Sequence, residues 1–309
     1  MTNIIQFLKN NNLMADPVET KVLQPSSYNQ NEVHFIKDKN KHYIFKIYRD
    51  GHDGEYHNEL DNLSLFARAL PTKRTPAIYF TGTINVDGVD KNYTIIEDLN
   101  GETLDTFLDR LNDKELENIA NDIMKIFEME EDLFVIPYKS DDSQTLIEKS
   151  MIKALNKLSI EWIRTLDFST DMINKALELS KTGNEPFHMH LITQDLRARH
   201  LVYNKNKFVG IIDLEYAKLN DLALEMGHFL HDLLLLNTTN SKRLFCILRS
   251  KLALRYDSEV MNRIYLYMIK QGITNVASRM TRNIGLEIVL PEITRIKQYI
   301  IAKNIDDIL

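Results

Sequence analysis

The first hundred residues alternate short apolar runs with polar turns; the remainder repeats apolar positions at helical spacing. Residues 21–24, 31–37 and 42–48 carry the pattern of strands, with a polar loop at 25–30 and a turn at 38–41. A short amphipathic helix is predicted over residues 3–13. A longer helix is predicted over 55–70, where Tyr56, Leu60, Leu63, Ala67 and Leu70 recur on one face. Residues 77–84 and 92–97 read as a hairpin turned through Val86, Asp87 and Gly88. The resulting order is β-β-β-α-β-β. Beyond Glu97 the pattern becomes helical, over 103–111, 114–127, 145–158 and 170–181, with 134–144 as a loop. Three strands then fall at 189–192, 201–203 and 208–212, separated by a polar loop and a turn. Helices follow at 222–236, 241–255, 259–271 and 284–303, and no repeat of 20–50 residues is evident. The expected class is α+β, with a β-rich domain at 1–97 and a mainly helical one at 98–309.

Composition narrows the function more than the fold. With 44% hydrophobic residues among 309, the chain can bury a full core. Its net charge of -6 argues against a nucleic-acid binder. A single cysteine, Cys246, excludes a disulfide framework and a cysteine-based zinc site. No leader pattern opens the chain and no run approaches the roughly 20 apolar residues of a membrane helix, so a cytoplasmic location with no membrane partner is expected. From Glu102 to Asp132 there are eleven acids and three bases. That run reads as solvated helix faces, or as a rim that steers a cationic substrate.

Chemistry concentrates between His190 and Asp221. Asp195 opens a polar loop with Arg197, Arg199 and His200, and Asp213 follows the apolar run Val209-Gly210-Ile211-Ile212. A carboxylate at the end of a buried strand needs a partner or a ligand. Phosphoryl transfer needs a carboxylate for the acceptor hydroxyl, cations for the transferred group and a metal on the phosphates. Asp195 suits the first role and Arg197 the second. Asp213 suits magnesium, a hard cation that prefers oxygen, with His200 beside it; a helix-capping aspartate is the alternative for Asp213. Lys46 interrupts an apolar strand, and Glu59 sits at the edge of the next helix's apolar stripe. Alone, these two read as an edge-strand lysine reaching water and a solvated acid. Asp221 and Glu225 open a helix, where acids complement the dipole; bracing the preceding loop is their other reading. His228 and His231 read as packing or surface residues.

Together these pieces resemble the aminoglycoside phosphotransferase and choline kinase superfamily, small-molecule relatives of protein kinases. Asp195, His200 and Asp213 keep that family's spacing of five and eighteen positions, and Ala217 and Asp221 continue its pattern. The resemblance implies a bilobal kinase-like fold, with a nucleotide-binding first lobe and a catalytic, acceptor-binding second. It implies ATP or GTP as phosphate donor and Mg2+ as cofactor. Lys46 looks like the strand lysine that contacts the phosphates, with Glu59 as its helix partner. Glu97 and Leu99, before Gly101-Glu102-Thr103-Leu104, look like the hinge that binds the base through its backbone. Ser26 and Ser27 stand where the phosphate loop would be, although that loop has no glycine. Thr193 stands where the family usually has histidine, and His200 where asparagine is commoner. The implied acceptor is a hydroxyl of a small molecule, first a cationic, aminoglycoside-like antibiotic. A metabolic alcohol of choline, homoserine or sugar type is the alternative, as is a nucleotide-binding pseudokinase.

Overall fold

The computed structural model describes residues 4–23, 31–49, 53–69, 75–139, 144–158, 169–186, 188–282, 285–302 and 304–308. The chain forms two compact units: Met1–Thr103 with His200–Ala217, and Leu104–Arg199 with Lys218–Leu309.

The first unit is built on five antiparallel strands, β1 (Pro17–Leu23), β2 (Glu32–Asp38), β3 (Lys41–Ile47), β4 (Ile78–Val86) and β5 (Val89–Glu97), in the order β1-β2-β3-β5-β4. Side chains alternate faces along a strand. Phe45 and Ile47 of β3 therefore join Ile36, Ile84 and Ile95 in a core that Leu8 of the Ile4–Asn10 helix completes. Lys46 belongs to the other face. The β4–β5 turn places Asp87 (φ 53°) and Gly88 (φ 87°) in the left-handed region, as a type I′ hairpin requires. The Asp53–Ala69 helix lies between β3 and β4 in sequence. A small sheet completes the unit, with β9 (Leu201–Asn204) between β10 (Lys207–Ile211) and β6 (Glu102–Thr103). Gly101 permits that pairing, because a Cβ there would stand 2.5 Å from the Tyr203 carbonyl oxygen.

The second unit is mainly helical. Its longest helices are Asp113–Asp132, Leu222–Leu236, Thr239–Arg255, Ser258–Thr281 and Leu286–Ala302. The Leu222–Leu236 helix is apolar on most sides and central, with Met226, Phe229, Leu230, Leu233 and Leu234 fully buried. Gly227 brings it close to the Ser258–Thr281 helix, where a Cβ would meet the Ile264 carbonyl oxygen at 2.7 Å. A three-stranded sheet, β11 (Lys218–Asn220), β8 (His188–Ile192) and β7 (Ile136–Pro137), carries the chain into its polar loop.

The expected α+β class, β-rich first and mainly helical second, is what the structure has. Local differences have local causes. The helix expected over 103–111 is a single turn, Leu104–Phe107, followed by a 3-10 turn, Leu108–Arg110. Thr103 is taken into β6, and Asn112 starts a new helix with a capping box to Glu115. Residues 136–137, expected in a loop, pair with β8. The helix expected to stop at 271 continues through Gly272 to Thr281, and Ile296 packs where a Cβ of Gly272 would stand. Among the described residues no helix is long and apolar enough to cross a membrane.

Candidate active site

In the first unit, Lys46 is only 8% exposed. The edge-strand reading fails because β3 is hydrogen-bonded on both sides, with Lys46 opposite Val33 and Thr94. Its ammonium bonds Glu59 Oε2 at 2.7 Å and Glu215 Oε2 at 3.1 Å, and lies 3.8 Å from Asp213 Oδ1. The Tyr48 hydroxyl donates to the same Glu59 oxygen. Burial alone would lower the Lys46 pKa; Glu59, Asp213, Tyr48 and Glu215 outweigh it and hold Lys46 well above the usual lysine value. Three carboxylates thus surround one buried ammonium, an excess of negative charge that suits a divalent cation.

Glu215 was not anticipated as part of this cluster. Its readable signal is the triplet Asp213-Leu214-Glu215, in which a fully buried Leu214 separates two acids. The Asn62 side-chain amide fixes that segment by donating to the carbonyls of Leu214 (2.8 Å) and Ala217 (3.2 Å). Asp213 itself adopts a left-handed backbone (φ 67°), which aspartate tolerates better than most residues. Buried His200 places Nε2 3.5 Å from Asp213 Oδ2. Among the described residues no three acid, histidine or cysteine side chains converge as a metal cage. Magnesium does not require one, since it commonly takes one or two carboxylates and completes its shell with phosphate oxygens and water. Half-exposed Asp213 fits that description, with His200 and Glu215 adjacent. The structure therefore brings Lys46, Glu59, His200 and Asp213 together.

The hinge candidates also lie in this unit. The Glu97 N–H donates to the Ala77 carbonyl (2.8 Å), and its carboxylate accepts from the Ala77 N–H (3.3 Å). Leu99 follows in the link between β5 and β6. Ser26 and Ser27 lie outside the described residues.

In the second unit, Asp195 and Arg197 are paired: Asp195 Oδ1 accepts from Arg197 Nε and Nη2, each at 2.8 Å. The loop that carries them is held from beneath by two helices. Thr193, where histidine is usual, donates its hydroxyl to Glu225 Oε1, and its N–H donates to Glu130 Oε1 at 2.9 Å. The Leu196 N–H also reaches Glu225 Oε1 (2.8 Å), and the Ala198 N–H reaches Asp232 Oδ2 (3.0 Å). His228 Nδ1 bonds the Gln194 carbonyl at 3.0 Å. Bracing, the lesser of the two readings of Glu225, is what it does. Asp221 caps its helix through the Ala223 N–H and pairs with Arg263 at 3.0 Å. Glu225, His228 and Asp232 share one face of a helix whose one other polar side chain, His231, bonds Tyr299 and Glu292 instead. That polar stripe was the available signal for the brace.

Glu130 and Glu225 are fully buried, and each has an Oε2 with no hydrogen-bond partner among the described residues. Burial pushes Glu130 well above the usual carboxyl range and pushes Glu225 from 4.5 up to about 7. A carboxyl raised in this way keeps a proton in the folded state that the unfolded chain releases. Its stabilisation is complete below pH 4.5 and is lost as pH rises through about 7, about 3 kcal/mol by linkage. Glu225→Gln should remove that slope. Denaturant titrations should then show the variant gaining on the wild type by about 3 kcal/mol between pH 4.5 and neutrality; a pH-independent difference would refute the assignment.

Comparison with known proteins agrees with this architecture. Residues 21–127 match the phosphotransferase enzyme family APH. No curated protein matches the sequence. Among solved structures, a thermostable mutant of aminoglycoside phosphotransferase APH(4)-Ia, in ternary complex with ADP and hygromycin B, is similar with a TM-score of 0.67 and 14% identity, covering 97% of this chain and 98% of that one. A microcompartment-associated aminopropanol kinase gives 0.59 at 14% identity, covering 97% and 98%. Spectinomycin phosphotransferase APH(9)-Ia, with ADP and spectinomycin, gives 0.58 at 13% identity, covering 97% of each. The resemblance drawn from the sequence holds: the chain matches the phosphotransferase enzyme family over residues 21–127 and has the fold of the small-molecule kinases, aminoglycoside phosphotransferases among them.

Proposed function

We propose that this protein transfers the γ-phosphate of ATP to a hydroxyl of a small molecule. The observation that carries this reading is the buried Lys46 ammonium clamped by Glu59 and Glu215, with Asp213 at 3.8 Å. A cation held rigidly among excess carboxylates is suited to grip phosphate oxygens beside a bound metal. ATP is preferred over GTP because the similar structures hold ADP or AMP-PNP.

In this reading Lys46 binds the α/β-phosphates and Glu59 fixes its position. Asp213, with His200 and Glu215 beside it, would hold magnesium, which when bound neutralises phosphate charge. The backbone at Glu97 and Leu99 receives the base, and the stretch with Ser26 and Ser27, which lies outside the described residues, is the one the resemblance assigns to the phosphates. Asp195 orients the acceptor hydroxyl and takes its proton as the new oxygen–phosphorus bond forms and the bond to ADP breaks. Arg197 positions Asp195 and offers positive charge to the transferred group. A cytoplasmic location belongs to the same reading.

Two acceptor classes compete. Hygromycin B and spectinomycin in the similar structures favour a cationic, aminoglycoside-like antibiotic. The charges of this chain favour a metabolic hydroxyl compound instead. The acidic run does not form an unpaired rim: Asp113 pairs with Arg243, Glu117 with Lys251, and Glu128 and Glu131 with Arg255. The first test is a thermal-shift titration with ATP or GTP and magnesium. Binding at a hundredfold excess over Kd should stabilise the fold by about 2.7 kcal/mol. No shift with either nucleotide would overturn the kinase reading; a shift without turnover on any acceptor would leave a pseudokinase.

A further inference from the structure

We propose that the acceptor carries an anionic group, a phosphate or a carboxylate, which is received by Lys270 together with Lys153, Lys157 and Lys218 beside Asp195. This rests on the kinase reading and names the substrate class of the same site.

Lys270 lies on the Ser258–Thr281 helix, with Nζ 3.5 Å from His228 Nε2. His228 is buried, and burial followed by the Lys270 charge pushes its pKa well down, so the ring is neutral. Since Nδ1 faces the Gln194 carbonyl at 3.0 Å, it carries the proton, and Nε2 accepts from Lys270. The ammonium is thereby tied, through one imidazole, to the residue preceding Asp195. One of its protons is used; the others are available to an anion.

The neighbours add to this charge. Lys218 opens β11 opposite Ile192, the last residue of the strand that leads into the Asp195 loop. Lys153 and Lys157 lie at the end of the Leu146–Leu155 helix, which packs against the Ser258–Thr281 helix. Burial, then Lys157, Lys218 and Lys153, push Lys270 down to about 8, with Asp195 opposing them. Among the described residues none of these four lysines pairs with a carboxylate. Nearby acids are already engaged: Asp221 with Arg263, Glu292 with Arg279, and Asp195 with Arg197. A polycationic acceptor would meet like charge here, whereas an anionic one would relieve it.

The test titrates the protein, saturated with ADP and magnesium to fill the nucleotide site, with glucose, glucosamine, gluconate and glucose 6-phosphate. Gluconate or glucose 6-phosphate should bind at least about tenfold more tightly than glucose, and glucosamine more weakly. The two anions separate a carboxylate from a phosphate preference. Lys270→Gln should erase the preference. So should the combined Lys153→Gln, Lys157→Gln and Lys218→Gln variant, whose three positions are exposed and carry no core packing. The proposal is overturned if glucosamine binds best, if neither anion binds, or if the preference survives both variants. Failure of ADP and magnesium to bind in the same titrations would instead count against the kinase reading, and the two failures are therefore distinct.

Discussion

Asp195→Ala should lower turnover by about 10²–10⁴-fold, the usual contribution of a positioned acid–base group, while nucleotide binding stays as in the wild type. In the proposed reading this carboxylate takes the hydroxyl proton, and Arg197 holds it at 2.8 Å. Its removal does not strand the guanidinium. Burial pushes the Arg197 pKa down, but Asp195 and then Asp232 raise it, and Asp232 remains in the variant. The loop also keeps its hydrogen bonds to Glu130, Glu225 and Asp232 through Thr193, Leu196 and Ala198, so the fold should survive. Because the interaction belongs to the transition state, kcat and kcat/KM should fall together. Asp195→Asn should behave similarly, since an amide cannot take the proton. Full activity of either variant on a demonstrated acceptor would sink the assignment of Asp195.

The contrast between Asp195 and its supports marks what the sequence could disclose. Short apolar runs bounded by turn residues made β1 to β5 and their succession along the chain legible, but not their order in the sheet. Spacing also brought out Asp195, His200 and Asp213, which lie within one short segment. What sequence could not disclose is which distant side chain meets a given face. Glu215 is 169 residues from Lys46, and Glu130 is 63 residues from Thr193. Each acid looks like a solvated carboxylate until the fold buries it. The same limit made Lys46 look like an edge lysine: apolar alternation reveals a strand, but not its place among its neighbours. Thr193 shows the converse. It stands where the family usually has histidine, and the structure holds the loop there with a hydroxyl, two buried glutamates and His228.

Lys46→Met should destabilise the fold by about 3–5 kcal/mol, the cost of removing one partner from a buried ion pair, and should abolish most turnover. Methionine matches the lysine stem in length, so the loss measures charge more than packing. Glu59 and Glu215 would be left facing one another without the ammonium, with Tyr48 donating to Glu59 and Tyr216 hydrogen-bonded to Glu215. Glu215 is already pushed up by burial, against the Lys46 charge that lowers it. Without that charge its pKa should climb further. A raised carboxyl pKa favours the folded state at low pH and loses that advantage as pH rises through the folded value. The stability deficit of Lys46→Met should therefore be greatest above neutrality and shrink in acid, which denaturant midpoints across pH will read directly. Adding Glu59→Gln and Glu215→Gln should recover most of the stability, since it neutralises the two buried carboxylates that bond the missing ammonium and leaves only Asp213, which is half exposed. It should recover none of the turnover, because the cation assigned to the α/β-phosphates is gone. A deficit below about 1 kcal/mol, typical of exposed pairs, would show that Lys46 is not enclosed by its carboxylates. Recovery of turnover in the neutral triple variant would show that it does not bind phosphate.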